Sequence, residues 1–216
     1  RHRASMQQIT RAIFESGAIE IRKDTQEPFV YSSGNRGPGY VMVKGLVGQP
    51  NVLEFLVEKL AEKIVKTFKQ RRYHIDAVEG NATGGMIPGY ILRQKMQKML
   101  RRDQLPGSYL RAARKRGGHN EHITGIRNNP LIKKDAKYLV VEELVNYGET
   151  TSNAVQIFRE HGFTVDYCAT ILSYNHQETQ DKLSSLNVQL IHLITMQELC
   201  DCAMELGLVS QQQYSS

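Results

Sequence analysis

"YLVVEELVNYGETTSNAVQIFREHG", residues 138–162, is the stretch from which the fold can be read. An apolar run from Tyr138 ends in Glu142 and Glu143. Gly148 follows, then the hydroxyls of Thr150, Thr151 and Ser152, then apolar residues at helical spacing as far as Gly162. The pattern predicts a buried strand, a tight turn and an amphipathic helix closed by Gly162. Backbone N–H groups in such a turn point at an anion, and the helix dipole adds about 0.3–1 kcal/mol. Glu149 is the oddity, because its carboxylate sits where an anion would arrive. With the two charges about 5 Å apart, repulsion would cost roughly 3 kcal/mol per charge pair. The expectation is therefore that Glu149 turns outward while the backbone keeps the anion site. Glu142 and Glu143 cannot serve a phosphate, but they can accept hydrogen bonds from sugar hydroxyls. A ribose phosphate would satisfy both halves; a capped helix with solvent-facing glutamates is the plainer alternative.

Outward from this stretch, strands and helices alternate. "MQQITRAIFESGAIEI" (6–21) reads as a helix, and "PFVYSSGNRGPGYVMVK" (28–44) as two strands around a Gly-Pro turn. "PNVLEFLVEKLAEKIVKTFKQRR" (50–72) reads as an amphipathic helix with Val52, Phe55, Leu56, Leu60 and Ile64 along its stripe. "HIDAVEG" (74–80) is a short buried strand, "NATGGMIPG" (81–89) a glycine-rich loop, and "YILRQKMQKMLRR" (90–102) a helix. "GSYLRA" (107–112) is a strand, followed by the polar loop "RKRGGHNEHITG" (114–125). Beyond Gly162 come the strand "FTVDYCATILSY", the helix "QETQDKLSSL", the strand "VQLIHLI" and a last helix opening at Thr195. This alternation predicts an α/β fold, a mostly parallel sheet flanked by helices. Both glycine-bearing loops, 80–89 and 146–151, follow strands directly and so belong on one sheet edge.

The 216 residues read as a single domain, with about 1–6 a fusion remnant and about 210–216 a frayed tail. Cys168, Cys200 and Cys202 have neither disulfide nor metal-ligand spacing, and no apolar run reaches membrane length. A cytoplasmic protein follows as the expectation. The formal charge of +6 is gathered at 63–72, 93–102 and 111–116. The first two blocks read as solvated helix faces, or as a field for a polyanionic substrate. His74, His122, His161 and His192 lack partners at metal spacing.

These segments together resemble the type I phosphoribosyltransferases, and among them the orotate phosphoribosyltransferases. Residues 138–151 resemble the phosphoribosyl-diphosphate signature, "VEGNATGGMIPG" (78–89) the diphosphate loop, and "FVYSSGNRGPGY" (29–40) an early element of the family. "YLRAARKRGGHNEHITG" (109–125) resembles its mobile catalytic loop. The resemblance implies a small hood formed by the N-terminal region, a homodimer without nucleic-acid or membrane partners, and Mg²⁺ bound mainly through the substrate diphosphate. It implies that orotate displaces diphosphate from phosphoribosyl diphosphate, giving orotidine monophosphate in pyrimidine biosynthesis. Glu142 and Glu143 would hold the ribose hydroxyls, and Asn146, Tyr147, Gly148, Glu149 and Thr150 would wrap the 5′-phosphate. Thr83, Gly84 and Gly85, after Ala82, would approach the diphosphate. Arg111 and Lys115 would stabilise its departure as the catalytic cations. Ser33 and His176 would belong to the base site.

Departures from the family cluster at the site. Asn146 stands for a threonine, Tyr147 for a small residue, and Ala112 and Gly117 for a lysine and a histidine of the loop, with Arg114 or His119 as replacements. His176 stands for an arginine that meets the orotate carboxylate, and it lacks the bidentate fork. Two alternatives therefore stay open: a phosphoribosyltransferase for a different base, and a non-catalytic relative that binds nucleotides or nucleic acid.

Overall fold

The computed structural model describes residues 2–21, 29–30, 36–37, 39–111 and 122–209. They divide into two compact units, Arg1–Leu53 with Ile194–Ser216, and Glu54–Leu193.

The first unit opens with α1 (His2–Glu15), so residues expected to be a remnant are helical from His2 onward. The helix ends earlier than its apolar spacing suggests. Ser16 Oγ donates to Ile13 O at 2.6 Å and accepts from Ala18 N–H at 3.1 Å, and Gly17 turns the chain at φ +78°. Ile19, expected in the helix, instead lies in β1 (Ile19–Ile21). The next strands are β2 (Phe29–Val30), β3 (Arg36–Gly37) and β4 (Gly39–Val41). β1 pairs antiparallel with β4, and β2 with β3.

Next comes α2 (Pro50–Arg71), whose share of the second unit buries Leu56, Val57, Leu60, Ala61, Ile64, Val65 and Phe68. The remaining elements are β5 (Ala77–Asn81), α3 (Met86–Met99), β6 (Gly107–Leu110), β7 (Ile123–Thr124), β8 (Lys137–Val145), α4 (Glu149–Glu160), β9 (Thr164–Ser173), α5 (Gln177–Ser185) and β10 (Gln189–Thr195). The sheet order is β10-β9-β8-β5-β6-β7, with β6, β5, β8 and β9 mutually parallel and β7 antiparallel to β6. This is the mostly parallel α/β sheet that the alternation predicts. β7 is another strand the sequence did not announce: only two residues long, it closes the ends of the polar loop, with Arg111 N–H donating to His122 O at 3.0 Å.

Tyr138, Val140 and Cys168 pack with Val155 and Phe158 of α4 in one core. Val141 points the other way, and there α3 approaches so closely that a Cβ on Gly89 would lie 2.8 Å from Gly80 Cα. The helices α3 and α4 thus cover opposite sheet faces. That contact also explains why α3 begins inside the expected loop: Gly85, Pro88 and Gly89 are helix-start and packing residues, and Pro88 is tolerated in the first turn. The chain then returns to the first unit as α6 (Met196–Glu205). Thr195 caps it: Thr195 Oγ1 accepts from Glu198 N–H, and Glu198 accepts from Thr195 N–H, each at 3.1 Å.

Candidate functional site

β5 leads through α3 to β6 on one side, whereas β8 lies on the other side of β5. The connections after β5 and β8 leave over opposite faces, which opens a crevice at the strands' carboxyl ends. The segments singled out in the sequence meet there: 82–85 after β5, Arg111 after β6, 146–148 after β8 and His176 after β9. All belong to the second unit.

Successive residues of a strand face opposite ways, so the two glutamates that end β8 part company. Glu142 is buried at 5 % exposure, and its Oε1 accepts from Asn81 Nδ2 at 2.5 Å and from the hydroxyls of Thr150 and Thr151, each at 3.2 Å. That oxygen ties β5, β8 and the first turn of α4 together. Burial pushes the Glu142 carboxyl up to about 7, the Glu143 charge adds to the rise, and the hydrogen bonds from Asn81, Thr150 and Thr151 oppose it. Glu143 is half-buried and lies over the glycine loop, so that a Cβ on Gly84 would come within 2.2 Å of its Oε1. Gly84 leaves room for that carboxylate. Gly85 serves the backbone instead, since its Cβ would meet Val141 O at 2.6 Å and Asn81 O at 2.8 Å. Thr83 is exposed, and the Ala82–Thr83 peptide is cis.

The turn before α4 passes through Gly148 at φ +77°, which an L side chain rarely adopts. Glu149, the first residue of α4, is exposed, as is Thr150. Helix α5 holds the turn along one face. His176 Nε2 lies 2.8 Å from Asn146 Oδ1, Thr179 Oγ1 donates to Asn146 O at 2.8 Å, and Lys182 Nζ donates to Tyr147 O at 3.2 Å. The Tyr147 and His176 rings stack at 4.7 Å and 14°, and Tyr174 stacks on His176 at 5.6 Å and 10°.

Arg111 is half-buried at the end of β6. Lys115 and Ser33 lie outside the described residues, as do Ala112, Arg114, Gly117 and His119. Among the described residues no group of three or more His, Cys, Asp or Glu could hold a metal ion, and no helix is long and apolar enough to cross a membrane.

The sequence reading passed over Glu79 and Asn81, which β5 buries at 0 % and 3 % exposure on the face that Glu142 shares. Glu79 Oε1 accepts from Leu110 N–H at 3.2 Å. Its Oε2, together with Asn81 Oδ1, is buried with no partner among the described residues. Burial first, then the Glu142 charge, hold the Glu79 carboxyl well above the ordinary carboxylate range. The available signal was two polar side chains at i and i+2 in an otherwise apolar strand.

Residues 48–199 match the family model of the phosphoribosyl transferase domain. The chain is 28 % identical over 199 residues to an orotate phosphoribosyltransferase of Malacoplasma penetrans, covering 92 % of this chain and 88 % of that one. It is 29 % identical over 197 residues to an orotate phosphoribosyltransferase of Listeria monocytogenes, covering 91 % and 86 %. In structure it resembles orotate phosphoribosyltransferase from Aeropyrum pernix with a TM-score of 0.67 at 20 % identity, covering 92 % of this chain and 99 % of that one. It also resembles Leishmania donovani UMP synthase with a TM-score of 0.75 at 18 % identity; all of this chain is covered, but only 42 % of that one. The sheet order, the crevice at its switch point and a family match over 48–199 agree, and the chain belongs to the phosphoribosyl transferase domain family.

Proposed function

We propose that this protein transfers the phosphoribosyl group from phosphoribosyl diphosphate to orotate. The bond from C1 of the ribose to the diphosphate oxygen breaks, a bond from C1 to the ring nitrogen of orotate forms as that nitrogen gives up its proton to solvent, and diphosphate leaves with the bonding electron pair. The observation that carries the reading is the meeting, on one sheet edge, of the loop 82–85, the carboxylate of Glu143, the turn 146–150 and Arg111. The relatives' printed names support orotate as the base.

Each part has a task suited to its chemistry. Backbone N–H groups of the 146–150 turn, at the start of α4, take the 5′-phosphate, with Glu149 exposed beside it. Glu143 accepts from ribose hydroxyls. Glu142, whose Oε1 already receives three donors, holds the first turn of α4 in place. The loop of Thr83, Gly84 and Gly85 faces the diphosphate, with Thr83 exposed, Gly84 leaving room for Glu143 and Gly85 seated against the strands. Arg111 and Lys115 meet the charge that develops as it departs. Mg²⁺ would be held mainly by the substrate diphosphate, with Glu143, half-buried beside the glycine loop, as the carboxylate within reach. When bound, that ion neutralises phosphate charge. The enzyme works as a single domain, cytoplasmic and homodimeric.

The test is the loss of orotate absorbance with phosphoribosyl diphosphate and Mg²⁺. The expected result is turnover that falls at least a hundredfold in Lys115→Ala. Absence of orotate-dependent turnover, with turnover on another base of a panel, overturns the assignment of orotate.

A further inference from the structure

Asn146, Tyr147 and His176 are in mutual contact, although about 30 positions separate the first from the last. A carbonyl oxygen only accepts, so at 2.8 Å the His176 ring donates its Nε2–H to Asn146 Oδ1. The amide is thereby oriented, and its Nδ2 donors remain to offer to an anion. The imidazole is also engaged by its π-face, stacked with Tyr147 at 14° and Tyr174 at 10°.

The rest of α5 acts on the turn residues Asn146, Tyr147 and Gly148. Thr179 Oγ1 binds the Asn146 carbonyl and Lys182 Nζ the Tyr147 carbonyl. Thr179 Cγ2 fills the space beside Gly148, 2.9 Å from where a Cβ would be. Positions 176, 179 and 182 recur every three residues and so lie near one another along the helix.

We propose that His176 is a positioning residue: from the start of α5 it holds the 146–148 turn in its anion-receiving shape, and it does not take the carboxylate of the base. The inference rests on the phosphoribosyltransferase reading. It makes Asn146 and His176 one device, the imidazole orienting the amide.

The test compares wild type with His176→Phe, which keeps an aromatic ring for stacking and loses the donor. It adds His176→Gln, which keeps a donor and loses the ring, Asn146→Ala, and the double variant His176→Phe/Asn146→Ala. Phosphoribosyl diphosphate binding is followed by calorimetry with Mg²⁺, and KM for each substrate by turnover. Loss of one such hydrogen bond predicts about fivefold weaker phosphoribosyl diphosphate binding in His176→Phe. KM for orotate should stay within about twofold, the double variant should be no weaker than Asn146→Ala alone, and His176→Gln should recover part of the loss. Losses that simply add in the double variant overturn the proposal. So does a rise in KM for orotate with phosphoribosyl diphosphate binding unchanged. Wild type that binds phosphoribosyl diphosphate but turns over no orotate overturns the choice of base alone, and the binding arm still decides the role of His176. Wild type that does not bind phosphoribosyl diphosphate overturns both.

Discussion

Gly84 and Glu143 show how a single atom's absence can place a charge. Were Gly84 an alanine, its methyl would occupy the position of the Glu143 carboxylate, 2.2 Å from Oε1. The end of a glutamate is flexible, so the side chain moves and the fold survives. Gly84→Ala is therefore expected to leave the circular dichroism spectrum unchanged and to lower kcat/KM for phosphoribosyl diphosphate at least tenfold, about 1.4 kcal/mol. Activity at the wild-type level would mean that Glu143 does not need its present position. Gly85→Ala is a different case, because the obstruction is backbone on two strands. That variant should lose stability together with activity, as a thermal melt would show.

Among the elements, α3 sits against the sheet by way of glycines. Ala in place of Gly89 would gain about 1 kcal/mol of helix propensity. Its Cβ, however, would lie 2.8 Å from Gly80 Cα, a backbone atom that cannot turn aside. Overpacking of this kind costs about 1–3 kcal/mol, so the clash wins. Gly89→Ala is expected to lower the thermal midpoint by a few degrees; a rise would show that α3 can move off the sheet. This element also marks a limit of reading from sequence. "NATGGMIPG" looks like a loop because glycine and proline punctuate local structure, whereas these glycines answer to a contact between a helix and a strand. The end of α1 was hidden for a related reason: Ile19 fits the helical period, but the Ser16 cap and the Gly17 turn decide where the helix stops. The long strands β8 and β9 were legible because each is an apolar run, and the last helix because Thr195 and Glu198 form its capping box.

At the scale of the whole molecule, Glu79 and Glu142 are two carboxyls buried on one face of the central sheet. Both are raised above the ordinary value of 4.5, Glu142 to about 7 and Glu79 well above its usual range. A folded state with raised carboxyl values binds more protons than the unfolded chain, so this contribution to stability is complete below about pH 4.5 and is lost as pH rises. For Glu142 the loss is spread between about 4.5 and 7. Chemical unfolding from pH 5 to 8 should show this contribution falling, and Glu79→Gln should flatten the profile. A profile as steep in the variant as in wild type would assign the pH dependence to other groups. Little of this was visible in the sequence, which shows two polar residues in a short strand but not that β8 brings a third beside them. The sheet edge was legible, because each glycine loop directly follows a strand. The link from Asn146 to His176 was not, because α4 and β9 lie between them in the chain.

Asn81 carries a further consequence. Its side-chain amide is buried and donates to Glu142 Oε1 at 2.5 Å, the same oxygen that receives Thr150 and Thr151 at the start of α4. Any ligand that tightens or loosens that first turn must disturb this amide, which does not itself have to touch the ligand. In a nitrogen-labelled sample its two protons would form a slowly exchanging, well-separated pair of resonances. The protein thus contains a spectroscopic probe at the root of its crevice, able to report arrival of a phosphate before any chemistry takes place.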